Sequence, residues 1–566
     1  MKGIFLLFVI LSSLIYSCSL NDSRVVKGGK AVYGDTVTLS IPEPIQTIHP
    51  LYNSDLYAHR IISNIFEPLF DLEGKSNKIT PRVAEKYEWK NDQKVLRIYL
   101  RKGIYFHEDA CFNNGENELT SADVKFTLEM ACSQNDLNQS NDALIGKIKG
   151  ADRFFNRKEI PAIPGIRIVN SHCLDIQLNG KYAHFPQLLT SSKYGICSKI
   201  AYDFYKDKII YHPIGTGPFL LKNNNKKYVL LEFNPRYWKQ DSYGNSLPYL
   251  DALMFKVMSS EKYEVQSFKN QQIDIISEVS PQHIDDILFD LNTVHYKKPF
   301  AHKVMVIPGS RVSMMVLNQN YECFKDPRVR KAIDLVIDRE IIANELMNGD
   351  GIPAKQGFAP PSSYYNNNEL PKKPVDVVLA KQLFSEAGYG PNHPFPHINL
   401  YIAGNNSQQA KIYCQYIAKQ LNTVFGIQTT IHEVDLATRY KAVVSNKAAI
   451  WKLGWSPDYP DPEAYFSLFY SKNPTNKNQN PMFPKVNSAI YDFNFSMGME
   501  ESDNGLRNNY FTTCDLILQE EHWVLPILSP FKDFSNLILY PTLTPLFYFL
   551  CAPQAWIKNT FLKFWR

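Results

Sequence analysis

An α/β fold is predicted by three features of the sequence. Residues Ile398–Ala403, Gln408–Phe425 and Ile427–Val434 pass from strand alternation to helical periodicity and back to strand alternation, the spacing of a βαβ unit. Residues 81–101 alternate on both sides of a polar turn at Lys90–Gln93, as a β-hairpin does. The chain of 566 residues is also too long for one core and divides into two or three compact units.

Composition narrows the class. Hydrophobic residues make up 44% and charged residues 21%, the balance of a globular chain and not of a disordered one. The net charge of +5 is spread over 61 basic and 56 acidic residues with no basic run, so no nucleic-acid partner is expected. Aromatic residues reach 13%, with 33 Tyr and 34 Phe, an excess that suits a packed core and also a large recognition cleft.

The N-terminus reads as an address. Lys2 gives a positive start, Ile4–Ile15 is an apolar run too short to span a bilayer, and Ser17 precedes Cys18, so residues 1–17 form a signal peptide. Ile15-Tyr16-Ser17-Cys18 resembles a bacterial lipobox, in which the cysteine is lipidated and becomes the new N-terminus; the alternative is ordinary secretion with Cys18 unmodified. Residues 18–30, with Gly28-Gly29, then read as a flexible tether to a membrane surface. The expected location is the periplasm or cell envelope. No later stretch offers about eighteen uninterrupted apolar residues. Beyond Cys18 the cysteines are Cys111, Cys132, Cys173, Cys197, Cys323, Cys414, Cys514 and Cys551; none forms a CxxC pair or has close histidines, so neither metal nor cofactor is expected. Their pairing cannot be read from spacing.

The elements follow in order. Ala31–Ile41 is a strand stopped by Pro42 and Pro44, and Asp55–Phe66 is a helix with Ile61, Ile62 and Ile65 on one face. The hairpin buries Leu96, Ile98 and Leu100, and a helix carries Asp123-Val124-Lys125-Phe126. From Asn141 to His212 the chain reads as loop-rich. Gly215-Thr216-Gly217-Pro218-Phe219 lacks the Lys-Ser/Thr ending of a phosphate loop, and a polar turn at Asn223–Lys227 separates it from Leu231–Trp238. Asp326 caps a helix with Pro327 in its first position, Asp338–Glu340 starts another that Gly349 ends, and Asp376–Ala387 makes a third. Ala448–Leu453 is a strand, and Trp451–Tyr465 leaves it as a stiff loop of aromatic, proline and acidic residues. A carboxylate held beside indole and phenol rings suits capture of an organic cation, and Asp458 is the candidate. The competing reading is that Asp458 and Asp461 only begin turns. His107 and Glu108 are not part of an HExxH, and His107 is read as structural.

Several of these segments together resemble the family 5 bacterial extracellular solute-binding proteins, the oligopeptide- and dipeptide-binding lipoproteins of ABC importers. They are Thr47-Ile48-His49-Pro50, Phe66-Glu67-Pro68-Leu69-Phe70, Pro81–Trp89 with Leu96–His107, Gly215–Phe219, Asp326–Ile333 and Trp455–Tyr459, in that family's order from about Ala31 to Pro530. The chain departs from the pattern by inserting Ala110–Leu119. The resemblance implies a two-lobe periplasmic binding protein fold of type II, of the large cluster with an extra small subdomain. It divides the chain into lobe I at 31–80 and 213–305, the subdomain at 81–212, lobe II at 306–522, and a return to lobe I at 523–566. It also implies a non-enzymatic, monomeric receptor that hands peptides to a permease. In that family the Asp of a segment like Trp455-Ser456-Pro457-Asp458-Tyr459 pairs with the ligand's α-ammonium, with Trp455 and Tyr459 beside it. Lys452 stands where a basic residue points toward the ligand's carboxylate, and Asp461 is read as structural. Two alternatives stay open: a receptor of the same family for a nickel chelate, haem or an oligosaccharide, and a secreted hydrolase, which the lack of GxSxG and HExxH disfavours.

Overall fold

The structure is a computed structural model that describes residues 24–29, 31–52, 56–73, 78–113, 117–134, 142–157, 160–276, 283, 303–305, 310–349, 351–362, 364–403, 408–457, 459–471, 481–530 and 537–539. The chain begins with β1 (Gly34–Ile41) and α1 (Leu56–Ile65), followed by β2 (Phe70–Glu73), β3 (Lys78–Pro81), β4 (Ala84–Lys90), β5 (Val95–Leu100), α2 (Ser121–Ala131), β6 (Ile166–Asn170) and β7 (Cys173–Gln177). It continues with β8 (Phe219–Asn224), β9 (Tyr228–Phe233), β10 (Leu250–Val257), β11 (Ile275–Ile276) and β12 (Lys303–Met305). Next come β13 (Val312–Leu317), α3 (Pro327–Leu335), β14 (Ile352–Pro353), α4 (Val377–Glu386), β15 (Ile398–Ala403), α5 (Gln408–Phe425) and β16 (Thr429–Val434). The last elements are α6 (Leu436–Val444), β17 (Ile450–Trp455), α7 (Ala489–Glu500), α8 (Asn504–Glu521), β18 (Val524–Ser529) and β19 (Leu537–Leu539).

Local chemistry sets many of these boundaries. Asn91, Asp92 and Gln93 all take positive φ, which folds β4 back onto β5 with Trp89 opposite Leu96. The Asp123 carboxylate accepts the Thr120 backbone N–H at the start of α2, at 2.9 Å. Asp326 accepts from Arg328 N at 2.8 Å and Pro327 opens α3; Asp376 accepts from Leu379 N at 2.9 Å and opens α4.

Lobe I is built on the sheet β12-β19-β11-β1-β10-β9-β8, in which β1 and β10 run parallel. Ile61, Ile62 and Ile65 of α1 are fully buried in one cluster with Val37, Val229, Leu231 and Leu253. Lobe II is built on the sheet β14-β18-β13-β17-β15-β16. Alternation along its central strands sends Met315, Leu317 and Ile450 to one core with Cys414 and Ile417, and Met314, Val316, Trp451 and Leu453 to another with Phe466 and Phe511. Among the described strands the two sheets are joined in sequence at β12 to β13 and at β18 to β19.

Three expectations are corrected. The segment from 141 to 212 is not loop-dominated: β6 and β7 form a hairpin that completes the sheet β4-β5-β7-β6, with Leu96 opposite Ile176. Ile166-Arg167-Ile168 and Leu174-Asp175-Ile176 alternate, but each strand is only five residues long and Arg167–Asn170 are exposed. The return to lobe I does not begin at 523, because β18 pairs with β13 in the lobe II sheet and β19 is the strand that joins lobe I. Residues 24–29, expected to be part of a flexible tether, are docked on lobe I. The Arg24 guanidinium lies between the Tyr33 and Phe233 rings at 4.5 and 4.3 Å and 2.5 Å from Asp251. Asn245 Oδ1 accepts from the N–H groups of Lys27 and Gly28 at 2.7 and 3.1 Å, and Ser246 N donates to Val25 O at 3.0 Å. Cys18, at the other end of that span, lies outside the described residues.

Candidate functional site

β17 is a central strand of lobe II, antiparallel to β13 and parallel to β15, with Trp455 opposite Val312 and Tyr401 opposite Trp451. The strand runs two residues beyond the expected Leu453, so Trp455 ends the sheet where β13 enters lobe II. The loop that follows is fixed at several points. The Trp455 indole N–H donates to Ala464 O at 2.8 Å, closing the loop base to base, and its ring meets Phe483 edge-on at 5.7 Å. The Tyr465 hydroxyl donates to Ser310 O, on the approach to β13.

Asp461 holds the loop from within. It accepts from Glu463 N at 2.9 Å and faces the Arg507 guanidinium at 2.7 Å, with both side chains buried. Burial alone would push its carboxyl up, but Arg507 and His184 outweigh that and hold it below the usual carboxylate range. Tyr459 and Ala464 are buried in the same apolar cluster as Leu144, Ile148 and Leu178 of the subdomain. Glu463 pairs with Lys147 at 2.5 Å, and the His184 ring meets Tyr364 edge-on at 5.9 Å. The loop of lobe II is therefore packed against the subdomain.

Trp455 ends β17, and Tyr459 is buried against the subdomain. Asp458 itself lies outside the described residues. Lys452 is placed apart from that loop, inside the sheet opposite Met315, whose Sδ lies 3.9 Å from Cys414 Sγ of α5. Among the described residues no carboxylate acts on its ammonium, and Arg439 of α6 donates to its carbonyl at 2.8 Å. Burial, and then the nearby Arg311 charge, push the Lys452 ammonium down to about 7. A cation held in this way can receive an anionic group, and it is uncharged once the pH exceeds that value. Sequence reasoning missed Arg507, Lys147 and His184, because each meets this loop from an element remote in sequence.

A second polar centre joins the subdomain to lobe I. Glu67, fully buried, accepts from Arg82 Nε at 2.9 Å, Thr216 Oγ1 at 3.0 Å, Tyr237 OH at 2.9 Å and Trp238 Nε1 at 2.9 Å. His107 is buried beside it and bonds Gly217 O at 3.0 Å; burial pushes its imidazole down to about 4, so it is neutral and structural. The described cysteines from Cys111 to Cys514 are free and buried, and Cys551 lies outside the described residues. Among the described residues no helix is long and apolar enough to cross a membrane.

The family model for the bacterial extracellular solute-binding proteins, family 5 Middle, matches residues 78–477. The periplasmic oligopeptide-binding protein OppA of Salmonella typhimurium is 24% identical over 92% of this chain and 91% of its own length. The dipeptide-binding protein of Escherichia coli is 22% identical over 72% of this chain and 73% of its own. Among solved structures, the periplasmic binding protein DppA of Helicobacter pylori in complex with the peptide STSA superposes with a TM-score of 0.74 at 21% identity, covering 90% of this chain and 95% of that one. The murein tripeptide binding protein MppA of Escherichia coli gives 0.73 at 21% identity, covering 89% and 94%.

Proposed function

Because this chain belongs to the bacterial extracellular solute-binding proteins of family 5, we propose that it is the peptide receptor of an ABC importer. It captures a free peptide between its lobes and presents it to a membrane permease, with no chemistry of its own. The observation that carries this reading is the loop between Trp455 and Ala464, tied at its base, at Asp461 and at Glu463.

Asp458 meets the peptide's ammonium. A zwitterion entering a closed cleft would otherwise bury that charge unpaired, at a cost of several kcal/mol. Trp455 and Tyr459 shape its surroundings, and Lys452, whose proton an arriving carboxylate favours, supplies positive charge for the peptide's carboxylate. Peptide backbone groups find partners by lying along the cleft as an added strand, and wet side-chain pockets give tolerance of sequence. Lobe closure is the state read by the permease. Lipidation of Cys18 holds the monomeric receptor at a membrane surface.

A thermal-shift comparison tests the site. Free peptides raise the melting temperature in proportion to the logarithm of concentration over Kd, and N-acetylated versions of the same peptides do not. Equal shifts from both forms remove Asp458 from its role. Mass spectrometry of solutes carried through purification tests the ligand class, and a nickel chelate, haem or oligosaccharide there overturns it.

A further inference from the structure

Among the described residues, the subdomain meets lobe II through side chains. The described strands that join the lobes in sequence are those of the two hinge passages, and neither belongs to the subdomain. Yet the Lys147 and Glu463 side chains, 8% and 11% exposed, meet at 2.5 Å across this contact. Lys147 is held in place from its own side: its ammonium donates to Ala143 O at 2.7 Å, and its carbonyl accepts from Asn179 N at 2.8 Å. Glu463 is held from the other side by its backbone bond to Asp461. Tyr182 lies near both Glu463 and Glu500, and burial together with those two carboxylates pushes its phenol up to about 12.

We propose that Lys147 and Glu463 are positioning residues for ligand capture: their pair forms when lobe II closes on the subdomain and fixes the loop that carries Asp458. The proposal rests on the peptide-receptor reading above. Its physical basis is the difference between two states of the same charges. With the lobes apart, the ammonium and the carboxylate are separately hydrated and cost nothing. With the lobes together they are dry, and each is tolerable only because the other is present. Ligand affinity is the intrinsic affinity scaled by the fraction of molecules in the closed, competent form, so anything that raises the energy of closure weakens binding. Removing one charge strands the other in the closed state alone. Removing both leaves a neutral contact that closes again.

The test uses the mature chain and a panel of free tri- to pentapeptides, from which the tightest wild-type ligand is carried forward. Peptide Kd is measured by titration calorimetry, closure by the ligand-induced fall in radius of gyration, and ligand-free stability by melting. Lys147→Met and Glu463→Gln are each expected to weaken the peptide by about tenfold or more, and the double variant to return to within about threefold of wild type. Singles that bind as wild type does, or losses that add in the double variant and track ligand-free melting, overturn the proposal and leave the pair a structural bond. A wild type that binds no peptide of the panel overturns instead the receptor reading, and this proposal with it.

Discussion

Arg507 and Asp461 meet at 2.7 Å with side chains 2% and 0% exposed, and each belongs to a different layer of the same site. Asp461 sits in the loop and Arg507 on α8, where its Nε also donates to Gly498 O at 2.9 Å. Arg507→Ala strands a buried carboxylate, so a loss of roughly 3–5 kcal/mol is expected in urea denaturation. A smaller loss than about 1 kcal/mol means the loop rearranges to hydrate Asp461.

Lys452 predicts a pH dependence of stability. Its folded value of about 7 lies below the ordinary 10.5 because of burial and then the Arg311 charge. Below pH 7 both folded and unfolded chains hold the proton. Between the two values the unfolded chain keeps it and the folded chain has released it, so stability climbs with pH by roughly 1 kcal/mol per unit. Lys452→Met removes this rise and is more stable than wild type at pH 6. Unfolding curves of the two proteins that run parallel from pH 6 to 9 rule the assignment out.

Glu67 is an acceptor surrounded by four donors, those of Arg82, Thr216, Tyr237 and Trp238. Glu67→Gln replaces one accepting oxygen with an NH2 group that faces them and removes the charge that Arg82 pairs with. The expected loss is about 2 kcal/mol or more, read as a lower urea midpoint with an unchanged slope.

The free, buried state of Cys111, Cys132, Cys173, Cys197, Cys323, Cys414 and Cys514 predicts that reductant leaves the melting temperature unchanged. A thiol reagent reaches these residues only after denaturant is added. A reductant-induced drop in melting temperature would reveal a disulfide.

Much of the fold was legible because its elements are punctuated in the sequence. Asp326-Pro327 and Asp376 mark the starts of α3 and α4, and β15 and α5 fall on the residues expected from periodicity alone. The β6–β7 hairpin escapes a sequence reading although Ile166-Arg167-Ile168 and Leu174-Asp175-Ile176 alternate, because strands of five residues give a short pattern that is hard to tell from a loop. The site was half legible. Trp455 and Tyr459 announce a rigid aromatic loop, whereas the partners that fix it, Arg507 and Lys147, are ordinary basic residues until the chain folds. Lys452 was read as pointing toward a guest, and only packing reveals that Arg311 and burial weaken its charge.

The docked Arg24 changes the arithmetic of any mooring at Cys18. Residues 19–23 are all that separate the two positions, and fully stretched they span roughly 20 Å. Arg24 is pinned beside Leu250 and Asp251, near the amino ends of the parallel strands β1 and β10. An acyl chain on Cys18 would therefore keep that edge of lobe I within roughly 20 Å of the lipid. With so short a lead, the point where such an anchor would take hold of the body is the Arg24 guanidinium between its two rings.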